Sequence, residues 1–352
     1  MSLIGKIGET GTCRPAHTEL EKQGFELASS WMQKAGMKTR IDNFGNLIGR
    51  LEGKNPNLPC LMMGSHLDSQ PYGGRFDGVA GVLCAIEVVT TLHENDIQPE
   101  RPIEVISFAD EEGWRFNKGL FGSRGILGKL EEGELQRTDK DGITREQALK
   151  DFGCDITKFK ESEYKAGSIF CFLELHIEQG PVLEDNDKTI GVVSGVLGIR
   201  WFDCTVTGME AHAGPTPMAL RKDAMLAATR IMQDVVAAAH RHPPHGRGTV
   251  GMVQVFPNSR NVIPGRVKFS IDLRNSTDEL VDAMAGEVKA FADQVAKEHG
   301  VQVHIEMVSS YPAQLFQPEC VEAVGRAAAK LGYSHMPAVS GAGHDAVYMA
   351  KL

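Results

Sequence analysis

Apolar residues recur at two different spacings in the first part of the chain. Leu20, Phe25, Leu27, Trp31 and Met32 recur at helical spacing, which is typical of an amphipathic helix, and this pattern stops near Ala35. Over Thr39–Leu51 the spacing shortens to alternate positions around a turn at residues 43–46. The pattern therefore predicts a helix followed by two short strands.

The next segments continue the alternation of strand and helix. Leu58–Gly64 and Ile103–Ala109 are short apolar runs typical of buried strands, and Gly81–His93 between them has the length and composition of a helix. This order predicts an α/β domain in which helices flank a mixed, largely parallel sheet.

The rhythm changes from about Val196, where strands and longer helices follow one another in a β-α-β-β-α-β order. That order predicts a ferredoxin-like, split-βαβ module. Its predicted elements are Trp201–Thr207, Asp223–His240, Thr249–Phe256, Arg266–Arg274, Thr277–His299 and Val301–Val308. Because a helical pattern resumes at Pro318–Lys330, the module is interpreted as an insertion: residues 196–309 within a domain of residues 1–195 and 310–352.

Composition narrows the possible classes of function. The chain has 352 residues, enough for two domains, and a formal net charge of −9, which disfavours binding to nucleic acid or to anionic membranes. No apolar run approaches the roughly 20 residues of a membrane span, and no signal peptide is recognised, so a cytoplasmic protein is expected. Seven scattered cysteines without a Cys-x-x-Cys pair indicate neither a disulfide framework nor a sulfur-ligated zinc site.

The most specific chemical motif is Gly64–Ser69, which follows a predicted buried strand and precedes the glycine-rich stretch Gly73–Gly78. It places His66, Asp68 and Asp77 near the carboxyl edge of the sheet, where α/β proteins bind ligands. Imidazole and carboxylate groups suit zinc and similar divalent metals. The alternative is that His66 is a hydrogen-bonded histidine at a strand end and Asp77 a turn residue.

A second motif, Asp110-Glu111-Glu112, follows the strand predicted over Ile103–Ala109. Three acids this close repel one another, and a bound cation would keep them ionised. On extended backbone, adjacent side chains point apart, so one glutamate could bind metal while the other acts as a general base. The alternative is a solvated helix N-terminus.

The third motif alternates so that Glu174, His176 and Glu178 would share one face of a strand. His176 alone could equally be a hydrogen-bonded core histidine. Three such motifs at the ends of strands in one predicted sheet favour a dinuclear metal site.

In these residues the chain closely resembles the metal-dependent amidohydrolases of the aminoacylase and carboxypeptidase clan. Within that clan it resembles the branch of N-carbamoyl-L-amino-acid hydrolases, allantoate amidohydrolases and β-ureidopropionases. The resemblance covers nearly the whole chain. The matching segments are Gly64–Asp68, Gly74–Gly81, Asp110–Phe116, Gly122–Arg124, Glu174–Pro181, Ala211–Met218, Asn261–Pro264, Asp272–Arg274 and Ser340–Ala346.

The resemblance implies two divalent ions per subunit, of zinc, manganese, cobalt or nickel. It implies His66 and His176 as terminal ligands of one ion, Asp77 as the bridge, and Glu112 as a ligand of the other. Glu111 then resembles the general base that acts on a metal-activated water. Asp68 resembles the partner that orients the first histidine.

The resemblance also implies residues that bind the substrate, a small ureido or amide compound with a free carboxylate. His212 resembles a histidine that stabilises the oxyanion from a partner subunit, which implies a homodimer formed through the inserted lid module. Asn261 and Arg274 resemble residues that hold the carboxylate, Gln179 one that contacts the carbamoyl group, and His344 one that lines the pocket.

One departure concerns the second metal ion. Relatives in this family supply a further histidine ligand in a segment that follows the equivalent of His344, whereas this sequence stops at Leu352. We expect a shortened sequence, the alternative being an incomplete second metal site. The beginning is also shorter than in the family, and residues 1–3 are interpreted as an added sequence.

Several functions remain open at this point. The first hypothesis is cleavage of an N-carbamoyl-L-amino acid. Allantoate and N-carbamoyl-β-alanine are close alternatives, although residues 113–125 and 195–198 are more similar to the carbamoylases. A non-catalytic descendant of the family and a dipeptidase are the other hypotheses.

Overall fold

The structure is a computed structural model that describes all residues from Met1 to Leu352. Packing divides the chain into two units, residues 1–187 with 344–352 and residues 188–343. No helix has the combination of length and hydropathy that a bilayer-spanning segment requires.

The first unit alternates strands and helices, as the sequence pattern predicts. Its strands are β1 (Lys6–Ile7), β2 (Gly11–Arg14), β3 (Lys38–Ile41), β4 (Leu47–Leu51), β5 (Cys60–His66), β6 (Ser69–Gly73), β7 (Ile103–Phe108) and β8 (Ile169–Leu173). Its helices are α1 (Glu19–Lys34), α2 (Val79–Glu94), α3 (Phe121–Ile126), α4 (Arg145–Phe152), α5 (Phe159–Ser162) and α6 (Val182–Asp185), with 3₁₀ turns at Glu134–Gln136 and Ile156–Lys158.

Five strands form the main sheet of this unit in the order β3-β4-β7-β5-β8. Strand β4 pairs antiparallel with β3 and β7, whereas β5 pairs parallel with both β7 and β8. Successive residues alternate between the two faces, so that Met63 packs against α1 and α2 while Met62 packs with Phe108 and Phe121 on the other side. The predicted α/β fold with a mixed sheet is confirmed.

Strand β5 begins and ends two residues later than the sequence pattern predicts. Pro59 has no amide hydrogen to donate, so pairing starts with Cys60, whose amide donates to the carbonyl of Ser168 at 3.0 Å. The shift matters because it makes His66 the last residue of the strand rather than part of the loop that follows.

The second unit contains the predicted split-βαβ module and two smaller sheets. Its strands are β9 (Ile190–Val196), β10 (Gly198–Thr207), β11 (Ala211–His212), β12 (Arg247–Thr249), β13 (Val253–Phe256), β14 (Val262–Ile263), β15 (Arg266–Asn275), β16 (Gln302–Tyr311), β17 (Gln314–Leu315) and β18 (His335–Ser340). Its helices are α7 (Ala224–Arg241), α8 (Asp278–His299) and α9 (Pro318–Lys330), with a 3₁₀ turn at Met218–Leu220.

The larger sheet of this unit has β10 between β15 and β16, and both β12 and β13 pair with β15. Every pairing is antiparallel, and α7 and α8 cover the sheet, as expected for a ferredoxin-like module. The predicted strand Thr249–Phe256 is broken between β12 and β13. There Met252 exchanges hydrogen bonds with Ser270, one of them to the serine hydroxyl.

Packing groups residues 188–195 and 310–343 with the second unit, outside the predicted insertion of residues 196–309. The reason is that β9 runs almost directly into β10 and forms its own sheet with β17 and β18. The insertion boundaries themselves stay a prediction. The chain then returns to the first unit with α10 (Ala346–Met349).

Candidate metal centre

The three predicted chemical motifs follow three neighbouring strands of the main sheet. His66 ends β5, Asp110 follows β7 by two positions, and Glu174 follows β8 directly. Because β5 lies between β7 and β8 and is parallel to both, their carboxyl ends meet at one edge. The register of the sheet therefore brings residues more than 100 positions apart into one site.

Three of the predicted metal ligands, His66, Asp77 and His176, form a group that we call the His–Asp–His cluster. One potential ligand atom from each lies within 4.8 Å of the others. Asp77 Oδ1 is 3.1 Å from His176 Nε2 and 3.9 Å from His66 Nε2. The aspartate thus faces both imidazole rings, as a ligand shared between them would.

Both histidines are oriented by backbone carbonyls. His66 Nδ1 lies 3.1 Å from the carbonyl oxygen of Asp68, and His176 Nδ1 lies 2.9 Å from that of Ile177. A carbonyl oxygen only accepts, so Nδ1 carries the hydrogen in each ring. In the neutral tautomer the lone pair is then on Nε2, directed toward Asp77, which is the form that binds a metal ion.

Gly78 and Gln179 complete the surroundings of this cluster. Gly78 has a φ of +65°, and a Cβ there would lie 2.4 Å from His66 Nε2, so a side chain would occupy the space beside the ligand atom. Gln179 donates from Nε2 to Asp77 Oδ2 at 2.7 Å. The predicted substrate residue Gln179 is therefore in direct contact with a predicted metal ligand.

The predicted base and the fourth ligand lie on residues 110–120, which we call the acidic loop. The amides of Glu111 and Glu112 each donate to the carboxylate of Asp68 at 3.2 Å. Glu111 Oε2 lies 3.6 Å from His66 Nε2. The predicted extended backbone is wrong here, because Asp110 adopts a left-handed φ of +51° and the chain turns at once.

Asp68 connects the two parts of the site. One of its carboxylate oxygens is 3.5 Å from His66 Nδ1, and the side chain is almost completely buried. Its role in orienting His66 stays a prediction, and it also accepts the hydrogen bonds that hold the start of the acidic loop.

The pKa values reflect the crowding of carboxylates. Burial lowers the pKa of His66, but the carboxylates of Glu111 and Asp68 outweigh this and raise it well above its ordinary range. Burial raises the pKa of Glu111 well above its usual value and that of Glu112 to about 7. Four carboxylates, those of Asp68, Asp77, Glu111 and Glu112, surround two imidazole rings, and a bound cation would favour the ionised form of the carboxylates.

A buried carboxylate oxygen without a hydrogen-bond partner also indicates that the residues fit a divalent metal ion. Glu112 Oε1 is buried and has no hydrogen-bond partner, a costly state for a carboxylate oxygen unless a cation binds it. Imidazole nitrogen and carboxylate oxygen are the donor types preferred by zinc and by neighbouring transition metals.

Glu174 has a different role from its neighbour His176. The predicted strand over Glu174–Glu178 is wrong, since β8 pairs with β5 only as far as Leu173. Glu174 accepts from Ser65 Oγ at 2.7 Å, from His344 Nδ1 at 3.2 Å and from the amide of Ala346 at 3.3 Å. It therefore fastens segments of the first unit together, and His344 is held by it.

Glu178 does not share a face with the site. Its carboxylate accepts from the amides of Val182 and Leu183 at 2.8 and 2.9 Å, where it caps the start of α6.

The remaining predicted residues lie in the second unit. His212 is exposed on β11 and pairs with Val262 on β14. The amide of Ala213 donates to Asn261 O at 2.9 Å, so His212 and Asn261 lie close together. Arg274 donates to Asp272 and to the carbonyl of Gly341, both at 2.7 Å.

Sequence reasoning missed Asp345, which is completely buried and has no hydrogen-bond partner on either carboxylate oxygen. Burial and the charge of Glu174 raise its pKa well above the ordinary value. The hydroxyl of nearby Ser123 donates instead to the carbonyl of Leu120 at 3.3 Å. The only signal in the sequence was its position beside His344.

Comparison with known proteins identifies the family of the chain. Residues 62–352 match the model of "Peptidase family M20/M25/M40". The chain is 39% identical to an N-carbamoyl-L-amino-acid amidohydrolase of Pseudomonas sp. (strain NS671). That alignment has 353 positions and covers 99% of this chain and 85% of the relative. It is 40% identical, over 99% of its length and 85% of the relative's, to an N-carbamoyl-L-amino acid amidohydrolase of Geobacillus stearothermophilus.

Among solved structures, a hydantoinase/carbamoylase family amidase from Burkholderia multivorans superposes with a TM-score of 0.94 at 42% identity, covering 99% of this chain and 84% of that one. The fold and the identity over nearly the whole chain agree. The chain therefore belongs to peptidase family M20/M25/M40 and, within it, to the hydantoinase/carbamoylase branch of hydrolases that act on C–N bonds.

Proposed function

We propose that the protein hydrolyses the ureido C–N bond of an N-carbamoyl-L-amino acid, releasing the amino acid, carbon dioxide and ammonia. The relatives of that name, at 39% and 40% identity over 99% of the chain, support this substrate class. The observation that carries the proposal is the placement of Glu111, whose carboxylate lies 3.6 Å from His66 Nε2 at the edge of the His–Asp–His cluster.

His66, Asp77 and His176, together with Glu112, would hold two divalent ions, which zinc, manganese, cobalt or nickel could provide. When bound, such ions polarise a carbonyl oxygen and lower the pKa of water. The Nε2 atoms of the two histidines, which both face Asp77, and the unpartnered oxygen of Glu112 support this assignment.

The chain's own residues would then move the proton. Glu111 accepts a proton from the attacking water and passes it to the nitrogen that leaves the ureido carbon. Its position next to His66 and its backbone hydrogen bond to Asp68 keep the carboxylate beside the cluster. Asp68 fixes His66 from the opposite side of the ring.

Other residues would bind the substrate itself. We assign Gln179 to the carbamoyl end because it contacts Asp77. Arg274 and Asn261 of the second unit are assigned to the carboxylate, since a guanidinium binds a carboxylate with two parallel hydrogen bonds. His212 is assigned to the oxyanion, and His344 to the wall of the pocket.

We also propose a homodimer formed through the second unit, with His212 acting on the partner's substrate. Mixed dimers of a His212→Ala subunit and a Glu111→Gln subunit should then regain part of the activity that each variant lacks alone. Absence of any recovery in verified mixed dimers would contradict the exchange.

The experiment that tests the proposed function is ammonia release by metal-loaded protein from N-carbamoyl-L-methionine, its D-isomer, allantoate and N-carbamoyl-β-alanine. Cleavage of a dipeptide is followed in parallel by amino-acid release. Preferential turnover of the N-carbamoyl-L-amino acid, with about two metal ions per subunit, is expected. Preference for allantoate, for N-carbamoyl-β-alanine or for the dipeptide would replace the proposal with that activity.

A further inference from the structure

The acidic loop leaves the sheet at Asp110 and returns beside its own starting point. The amide of Leu120 donates to the carbonyl of Glu111 at 2.9 Å, and the amide of Phe121 donates to that of Asp110 at 3.2 Å. Glu111 and Glu112 therefore lie at the base of a closed loop. Their positions depend on what holds its two ends.

Arg145, from the first turn of α4, holds both ends at once. Its Nη2 donates to Asp110 Oδ2 at 2.7 Å and to the carbonyl of Lys118 at 2.8 Å, while Nη1 donates to Glu134 Oε1 at 2.8 Å. The side chain is completely buried. One guanidinium thus joins the start of the loop to its end.

A second arginine extends this contact. Arg124 donates to both carboxylate oxygens of Glu134, and its Nε and Nη2 donate to the carbonyl of Gly119 at 3.2 and 2.9 Å. Glu134 therefore links the two arginines, and the charges of Arg124, Arg145, Glu134 and Asp110 balance. We call these four residues the arginine clamp.

Stability alone explains the arginine clamp poorly. Buried ion pairs contribute little net stability, because removing the charges from water costs about as much as their attraction returns. Apolar neighbours are also available, since the Arg145 guanidinium lies over the rings of Phe121 and Phe116 at 4.3 and 4.9 Å. The planar guanidinium of Arg145 binds both a carboxylate and a backbone carbonyl from two different segments, which an apolar side chain cannot do.

We propose that Arg145 is a positioning residue that acts through Asp110 and the carbonyl of Lys118 to hold Glu111 and Glu112 at the metal centre. The inference rests on the proposed function for the roles of the two glutamates. It predicts that loosening the clamp disturbs the acidic loop and Glu112 while leaving the His–Asp–His cluster intact.

The test is Arg145→Lys, which keeps the positive charge and removes the fork. In metal-free protein, hydrogen–deuterium exchange of peptides that cover residues 110–121 should accelerate by about tenfold or more, with β5 peptides unchanged. A zinc titration of the Glu112→Gln variant first identifies which of the two ions depends on Glu112. In Arg145→Lys, that ion should bind about 10–100-fold more weakly than in the wild type. The other ion should keep its affinity.

Arg200→Lys is the matched control. Arg200 lies in the second unit, is also almost fully buried, and also donates to two carboxylates, those of Asp278 and Asp282, and to backbone carbonyls. This variant should show wild-type exchange over residues 110–121 and wild-type zinc affinity. Glu134→Gln, which keeps both arginines, should shift exchange in the same direction as Arg145→Lys and serves if the lysine variant does not fold.

Unchanged hydrogen–deuterium exchange over residues 110–121 would overturn the positioning role. An equal loss of affinity for both zinc ions would also overturn it, because a uniformly destabilised protein gives that result. The two proposals fail separately. If exchange and zinc binding change as expected but no ureido compound is hydrolysed, the positioning role stands and the proposed function does not. If ureido turnover occurs but exchange is unaffected in both variants, only the positioning role falls.

Discussion

The His–Asp–His cluster and the acidic loop supply ligands to one centre but are held in different ways. The cluster is fixed by local backbone: His66 ends a strand, its ring is bonded to a carbonyl two residues away, and Gly78 leaves room beside it. The acidic loop has no strand of its own and depends on side chains from remote segments, Asp68 on one side and Arg145 on the other.

The difference indicates how much disturbance each part tolerates. A ligand at a strand end inherits the rigidity of the sheet, whereas a ligand on a loop is only as well placed as the side chains that hold the loop. The cluster should therefore keep its metal through changes that displace Glu111 and Glu112.

The largest effect is expected from Glu111→Gln, which separates chemistry from metal binding. Loss of the general base should lower kcat by about 10²–10⁴-fold, while the isosteric amide leaves the ligands in place. Steady-state kinetics and metal analysis of the same sample provide the measurement. Wild-type turnover with full metal content would remove Glu111 from the role of base.

The next largest effect is expected from Gly78→Ala, which disturbs the cluster without changing a ligand. The added Cβ would displace the His66 ring, and metal affinity should fall by about 10–100-fold, as measured by competition with a chelator. Gly286→Ala is the control, because a Cβ at that helical glycine meets no neighbour within 4 Å. Equal affinity in both variants would show that the cluster adapts more readily than we infer.

Glu112 provides a pH test of the acidic loop in metal-free protein. Burial raises its pKa from the ordinary 4.5 to about 7, so the folded state prefers the protonated form and loses stability as the pH rises through this interval. Glu112→Gln should match the wild type below pH 4.5. Above pH 7 it should be more stable by about 1–2 kcal/mol, after allowance for partial exposure.

Denaturant unfolding at the two pH values measures this difference. Saturating zinc should reverse it, because only the carboxylate can bind the ion. A stability difference that stays constant with pH would contradict the assigned environment of Glu112.

The smallest effect is expected from Ser65→Ala. It removes one hydrogen bond to Glu174, which keeps those from His344 and Ala346, so the free energy of unfolding should fall by about 1 kcal/mol with metal affinity unchanged. Loss of a metal ion in this variant would mean that Glu174 positions His176 more strictly than its contacts indicate.

Much of the cluster could be predicted from sequence because its information is local. The apolar run of β5 stops where the motif Gly64–Ser69 begins, and the run of β7 stops just before Asp110. Once these strands are parallel neighbours, the position of the motifs follows. The same local reasoning predicted the split-βαβ order and the bounds of α9.

The remaining features depend on partners far away in the chain. Whether Glu174 binds a metal or a neighbouring segment is decided by His344 and Ala346, about 170 positions later, which no spacing pattern encodes. The sequence does contain one signal for Arg145. A cation in the first turn of a helix is unfavourable beside the helix dipole, so its presence there indicates a role other than stabilising the helix.

The contacts of Glu174 have a consequence for synthesis of the protein. A ribosome releases β5, β7 and β8 long before residues 344–346, so the nascent chain carries Glu174 with Ser65 but without its two later partners. Because domains fold as their residues emerge, the sheet edge can form early while the residues around His344 dock late. Until they dock, the carboxylate of Glu174 lacks two of its three hydrogen-bond donors. We expect chaperones to bind the first unit mainly during this interval.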